Sequence, residues 1–348
     1  MAFRDIVGHR RLVNLLGRAI ANGSLPPSLI FAGPDGVGKR LMALSVAEAL
    51  NCLEPVIDER PPRQDACGTC RSCGKIARRV HPDVLLVEPD EKDSIKIDPI
   101  REVTGHLAYR PAEGRVRVIV VDQADLLEPP AQNALLKTLE EPPSRNVWIL
   151  VTSRPAELFD TIRSRCCQLR FGPLSAGDIA GALANRHGVP AAEARASAAL
   201  AVGSMGRALA AGGGALSEAR AVATAVLIET AGSTEPRLRL AAAGALLQGA
   251  GKKGKARENK TPAADRSAVA LRLRALAALL RDMSVMSTRA AETELVNLDL
   301  RPDLESLARS YDPDRLTRAF SAVGRAIAAL ERNNASPKIV ADWLALQL

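Results

Sequence analysis

The sequence predicts a doubly wound α/β domain with a small cysteine-rich insert, followed by two helical parts. Three observations carry this. Five short apolar runs alternate with helical patterns in the first half of the 348 residues. A glycine-rich turn, Gly33-Pro34-Asp35-Gly36-Val37-Gly38-Lys39, stands between the first of those runs and a helical pattern. After Pro173 the strand signals stop, and alanine and leucine dominate.

The strand candidates are Leu29–Phe31, Val84–Val87, Val116–Val121, Val147–Val151 and Cys167–Phe171. Each is short and almost continuously apolar, as strands buried on both faces must be. Helices between them make a parallel sheet the natural outcome. Ser175 can cap a helix that carries Asp178, Ile179 and Leu183. Another helix follows Pro190, and Gly203-Ser204-Met205-Gly206 punctuates the segment. Gly212-Gly213-Gly214 then reads as a break.

Three later helices have clear starts. Thr261-Pro262 opens one with Leu273, Leu276, Leu280 and Met283. Asp312-Pro313 opens a second, with proline at the first helical position. Its Leu316, Phe320, Val323, Ile327 and Leu330 fall on one face. Ser336-Pro337 opens a third, carrying Val340, Trp343 and Leu344. The boundaries read as 1–172 for the α/β domain with its insert at about 50–80, 173–213 for a small helical domain, and 214–348 for the last helical part.

Aromatic residues make up only 3%, so aliphatic side chains must build the core. The net charge of +8 is compatible with a nucleic-acid partner but does not by itself select one. The start Met1-Ala2-Phe3-Arg4-Asp5 lacks the apolar stretch of a secretory signal, and uninterrupted apolar runs such as Val118–Val121 are far too short to cross a bilayer. A cytoplasmic location is expected. In that reducing setting six cysteines favour metal binding over disulfides.

The turn from Gly33 to Lys39 has the form of a P-loop. Small residues let backbone N–H groups face phosphate oxygens, and the lysine reaches the outer phosphates. The next position needs a Ser or Thr hydroxyl for Mg²⁺, but it is Arg40, which has no lone pair to give. Val118-Ile119-Val120-Val121-Asp122 reads as an apolar strand ending in a metal-facing aspartate. Gln123 follows where a glutamate would orient the attacking water, and an amide cannot take the proton. Asp125 lies two residues on and is expected to point elsewhere. Gly33, Gly36, Gly38, Lys39 and Asp122 thus form a degenerate nucleotide site, and whether it still holds ATP is open at this stage.

Cys52, Cys67, Cys70 and Cys73 have the spacing of four thiolates converging on one ion. Pro61, Pro62, Gly68 and Gly74 between and beside them suit a compact turn-rich module. Structural zinc is one reading, and an iron–sulfur cluster shares the spacing. Cys166 and Cys167 read as buried thiols at the fifth strand.

Further motifs carry a resemblance. These are Ile6-Val7-Gly8-His9, Leu25-Pro26-Pro27-Ser28, His81-Pro82-Asp83, the run from Ala134 to Pro143, Ile162-Arg163-Ser164-Arg165-Cys166, and Asn334-Ala335-Ser336-Pro337. Together with the P-loop they resemble the AAA+ clamp loaders of bacterial DNA polymerase III, specifically over residues 1 to about 210 and more loosely beyond. The resemblance implies an AAA+ domain with a zinc module, a helical lid and a helical collar. Arg40, Gln123 and Gly206 depart from the motor subunits, gamma and tau, and fit the delta-prime branch. In that family the arginine of Ser164-Arg165-Cys166 reaches in trans into a neighbour's ATP site, which implies a catalytic role for Arg165. Ser153 stands at the family's γ-phosphate sensor.

The resemblance also implies partners: delta and gamma or tau subunits in a hetero-pentamer, and, through it, the sliding clamp and primed DNA. Arg101 falls on a helix that could touch DNA phosphate. The basic stretch 249–262, with Lys252, Lys253, Lys255, Arg257 and Lys260, reads as a solvated loop. The alternatives are a working gamma- or tau-type ATPase and a stand-alone zinc-containing DNA-binding protein.

Overall fold

The computed structural model describes residues 2–58, 64–210, 214–232, 235–247, 262–287, 295, 297, 300–332 and 335–348. They form two compact units, one of residues 1–178 with 203–206 and the other of 179–202 with 207–348.

In the first unit, β1 (Ser28–Ala32), β4 (Val84–Val87), β5 (Arg117–Val121), β6 (Asn146–Thr152) and β7 (Cys167–Arg170) form one sheet in the order β4-β5-β6-β1-β7. All its pairings are parallel. A separate hairpin pairs β2 (Val56–Ile57) with β3 (Gln64–Asp65). Each of the five apolar runs is a strand of the parallel sheet. The three central strands are buried along their whole length, which explains why their sequences do not alternate.

Burial on both faces still sorts side chains by the two-residue period. Leu29, Phe31, Val118 and Val120 face one core with Val13 and Leu16 of α1 (Arg10–Ala21) and Met42 and Val46 of α2 (Lys39–Asn51). Ile30, Ile119 and Val121 face the other. There they meet Ile100 of α4 (Ile97–His106), Leu135 and Leu139 of α5 (Pro129–Glu140) and Ile162 of α6 (Asp160–Arg163). The insert contributes α3 (Arg71–Ala77).

Buried Asp83 ties the loop before β5 to β4. It accepts the backbone N–H of Ala112, Glu113 and Gly114 at 2.7–2.8 Å, and Arg117 lies 3.4 Å away. Burial alone would raise this carboxyl, but the three N–H donors and Arg117 hold it below the ordinary range.

The helices after β7 are α7 (Ala176–His187), α8 (Ala191–Leu200), α9 (Met205–Ala210), α10 (Ala215–Ala231), α11 (Pro236–Leu247), α12 (Pro262–Ser287), α13 (Arg301–Ala308), α14 (Pro313–Arg332) and α15 (Pro337–Ala345). Ser175 Oγ accepts the Asp178 N–H at 3.0 Å, so it caps α7 as expected. Leu273, Leu276, Leu280 and Met283 of α12 are fully buried in the second unit's core.

One expectation fails on α14. Leu316, Val323 and Leu330 are buried, but Phe320 is 47% exposed. Ala319, Ala322 and Ala326 are buried instead, and at about 100° per residue they pull the buried face away from Phe320. No helix among the described residues is long and apolar enough to cross a membrane. Of the basic stretch 249–262, residues 249–261 lie outside the described residues, as do Gly212-Gly213.

Candidate functional site

The P-loop follows β1 and runs into α2 at Lys39. Its path requires glycine at two places. A side chain at Gly33 would lie 2.2 Å from the Phe171 carbonyl oxygen. Gly36 has φ +72°, and a Cβ there would meet Ser204 Oγ at 2.2 Å. The Gly206 N–H donates to the Gly36 carbonyl at 3.1 Å, so the segment holding the unexpected glycine packs on the loop itself. His9 Nε2 donates to the Val37 carbonyl at 3.0 Å. Burial lowers the His9 pKa, which keeps the ring neutral with its proton on Nε2.

Lys39 is nearly buried. Its ammonium donates to the carbonyls of Gly33 at 2.6 Å and Pro34 at 2.7 Å. Burial lowers its pKa, opposed by Asp35, Asp125 and Asp122. Arg40 points across to β5 and β4. Its Nη1 lies 3.0 Å from Asp122 Oδ2 and 2.6 Å from Glu88 Oε1. A guanidinium therefore bridges Glu88 and Asp122, the strand-end aspartate on which a P-loop cation would draw. Its Nε and Nη2 are buried without a hydrogen-bond partner among the described residues.

Glu88 was not singled out from the sequence, because only the pairing of β4 with β5 brings it beside Asp122. Val87 pairs in register with Val121, so the residue after each strand, Glu88 and Asp122, emerges side by side. Asp125 is engaged by the end of β6 and the residues after it. It accepts Thr152 Oγ1 at 2.8 Å, the Ser153 N–H at 3.3 Å and Arg154 Nε at 3.0 Å. Gln123 adopts φ +49° and gives its N–H to Asp122 Oδ1 at 3.1 Å. The arrangement neutralises the aspartate with an internal cation and offers no free carboxylate at position 123.

Arg165 follows α6 and lies apart from these residues in the chain. Its Nη2 is 2.5 Å from Glu140 Oε1 at the end of α5, and its Nη1 donates to the Thr161 carbonyl at 2.9 Å. It is 34% exposed. Arg101 is exposed on α4. Cys167 is exposed, contrary to expectation, because β7 is a sheet edge. Cys166 is half-buried, and burial pushes its thiol up to about 12.

The four remaining cysteines come together. α2 ends at Asn51 and delivers Cys52, while Cys70 and Cys73 sit at the start of α3. Their sulfurs and that of Cys67 all lie within 4.8 Å of one another. Cys52–Cys70 is 3.9 Å and Cys70–Cys73 is 3.5 Å. Four thiolates around a tetrahedral ion are about 3.8 Å apart, so the set fits a metal. The N–H groups of Thr69 and Cys70 point at Cys67 Sγ at 3.4 and 3.2 Å. Led by that of Thr69, they bring its thiol down to about 6, toward the thiolate that a metal needs.

A parallel sheet with a P-loop after one strand and an aspartate ending another defines a P-loop nucleotide-binding fold. Comparison with known proteins narrows this. Residues 8–175, just under half of the chain, match the family model described as "DNA polymerase III, delta subunit". The chain is 37% identical over 137 residues to DNA polymerase III subunit delta′ of Pseudomonas aeruginosa, covering 39% of this chain and 40% of that one. It is 35% identical over 177 residues to subunit tau of Escherichia coli, covering 51% of this chain and 26% of that one. A gamma subunit-related protein from Thermotoga maritima aligns with TM-score 0.46 and 20% identity over 96% of this chain and 97% of that one. Over its α/β part the chain is thus similar to the delta, delta′, tau and gamma subunits of DNA polymerase III. Its matches span from about a quarter to two-fifths of these delta′ and tau relatives.

Proposed function

We propose that this chain is the non-hydrolysing, delta-prime-type member of a clamp loader that uses ATP to place a sliding clamp on primed DNA. The observation that carries this is the seating of Arg40 on Asp122 and Glu88. Hydrolysis by a P-loop site needs Mg²⁺ on the loop hydroxyl and the strand-end aspartate. Here the hydroxyl is gone and the aspartate holds a guanidinium. Gln123 supplies no base. Residues 173–213 act as the lid and 214–348 as the collar that joins delta and gamma or tau in a cytoplasmic hetero-pentamer. Arg101 contributes a phosphate contact to DNA.

Arg165 acts in trans. Its guanidinium spreads charge toward the transferring phosphoryl group of the adjacent motor subunit. This role does not depend on the chain's own nucleotide site. Cys52, Cys67, Cys70 and Cys73 hold zinc, which with four sulfur ligands serves as a cross-link and has no open position for chemistry.

ATP hydrolysis by the purified chain, alone and reconstituted with delta, gamma and clamp, tests the proposal. The expected result is no turnover alone, DNA-stimulated turnover in the complex, and a loss of about a hundredfold or more at the adjoining site with Arg165→Ala. Sustained hydrolysis by the isolated chain would identify a gamma- or tau-type motor, the reading favoured by the tau relative and the retained Lys39. Tight DNA binding by the chain alone would favour a stand-alone DNA-binding protein.

A further inference from the structure

We infer that Glu140 is a positioning residue that parks Arg165 and restrains hydrolysis at the neighbouring site until the complex is engaged. This rests on the reading of Arg165 as a trans finger. Both terminal nitrogens of its guanidinium are committed within the chain, Nη2 to Glu140 Oε1 at 2.5 Å and Nη1 to the Thr161 carbonyl at 2.9 Å. Phosphate oxygens are bound through the same donors. A finger held in this way must leave Glu140, or share it, before it can serve a phosphoryl group.

The carboxylate also sits at a position with no helical reason for one. Glu140 is the last residue of α5, where the negative end of the helix macrodipole disfavours an anion. Arg165 offsets that repulsion, which couples the finger to the end of α5. The side chains are 34% and 50% exposed, so the pair is weak enough to be broken by a competing polyphosphate. The restraint is therefore modest, and the complex can release it on binding DNA.

Glu140→Gln removes the charge while keeping the shape. ATP hydrolysis by the reconstituted complex without DNA is expected to rise about two- to fivefold, the range for an exposed ion pair. The gain should shrink as salt rises, because the wild-type pair is screened. It should vanish in the Arg165→Ala background, which a general loosening of α5 would not produce. Unchanged or slower hydrolysis in Glu140→Gln, with Arg165→Ala still lowering the rate, would overturn the restraint and leave the finger intact. If Arg165→Ala itself changed nothing, the finger reading would fail and the restraint with it.

Discussion

Arg40 places a fixed cation between two carboxylates at the ends of neighbouring strands. It is the second residue of α2, where a hydroxyl would face the cation. Its Nη1 instead joins Asp122 and Glu88. The Arg40 side chain is 28% exposed and Asp122 12%, so with solvent screening the pair contributes on the order of 1 kcal/mol. The chemical consequence is larger than the energetic one, because the cation cannot be exchanged. Thermal denaturation with and without Mg²⁺ should therefore show no shift for the wild type. Arg40→Thr restores a hydroxyl and frees two carboxylates, so its Tm should fall in metal-free buffer and recover on adding Mg²⁺. An equal Mg²⁺ response in both proteins would argue against substitution of the ion by arginine.

At the scale of elements, the cysteine insert is bound to the start of the chain. The N–H groups of Phe3 and Arg4 donate to Asp65 at 2.8 and 3.3 Å, and the Arg4 guanidinium donates to the carbonyls of Ala66 and Cys67 at 3.0 and 2.6 Å. His9, five residues on from Arg4, holds the P-loop through Val37. For the chain loaded with the proposed zinc, a chelator should lower the Tm and raise amide exchange in residues 2–9 as well as in the insert. Exchange confined to the insert would show that the two are not coupled.

The β4–β5 connection carries a separate pH dependence. The Asp83 carboxyl is depressed in the folded chain, so its contribution is complete above the unfolded pKa of about 4 and is lost as pH falls through the lower folded value. The urea midpoint should drop below about pH 4 in the wild type. Asp83→Asn should be less stable at neutral pH and show a flatter acid limb. An identical acid limb in both proteins would assign the loss to other carboxylates.

For the molecule as a whole, two compact units serve different ends. The α/β unit carries every candidate site residue. The helical unit is built on aliphatic side chains of α10, α12, α14 and α15, with few polar groups in its core. One of these is Thr230, whose hydroxyl lies 3.2 Å from that of Tyr311. In the proposed assembly the first unit performs recognition and the second holds the ring together. The proposed absence of hydrolysis by this chain is compatible with that division, because a finger at Arg165 would need only a stable platform.

Much of this was legible in the sequence. Apolar runs located all five strands, and for β1, β5 and β6 the reason is burial on both faces, which leaves little alternative to apolar character. The P-loop, the strand-end Asp122 and the four cysteines were readable because phosphate and metal chemistry demand fixed residue types at fixed spacings. The sequence alone also marked Arg40 and Gln123 as incompatible with ordinary catalysis. Only tertiary structure decided what those residues do instead. Glu88 meets Arg40 through the register of two parallel strands, and Glu140 meets Arg165 across a separation of 25 residues. Phe320 turned outward because buried alanines, invisible to a pattern of large side chains, shifted the face of α14. Local spacing encodes motifs within one element, whereas the partner of a charged side chain is chosen by packing between elements.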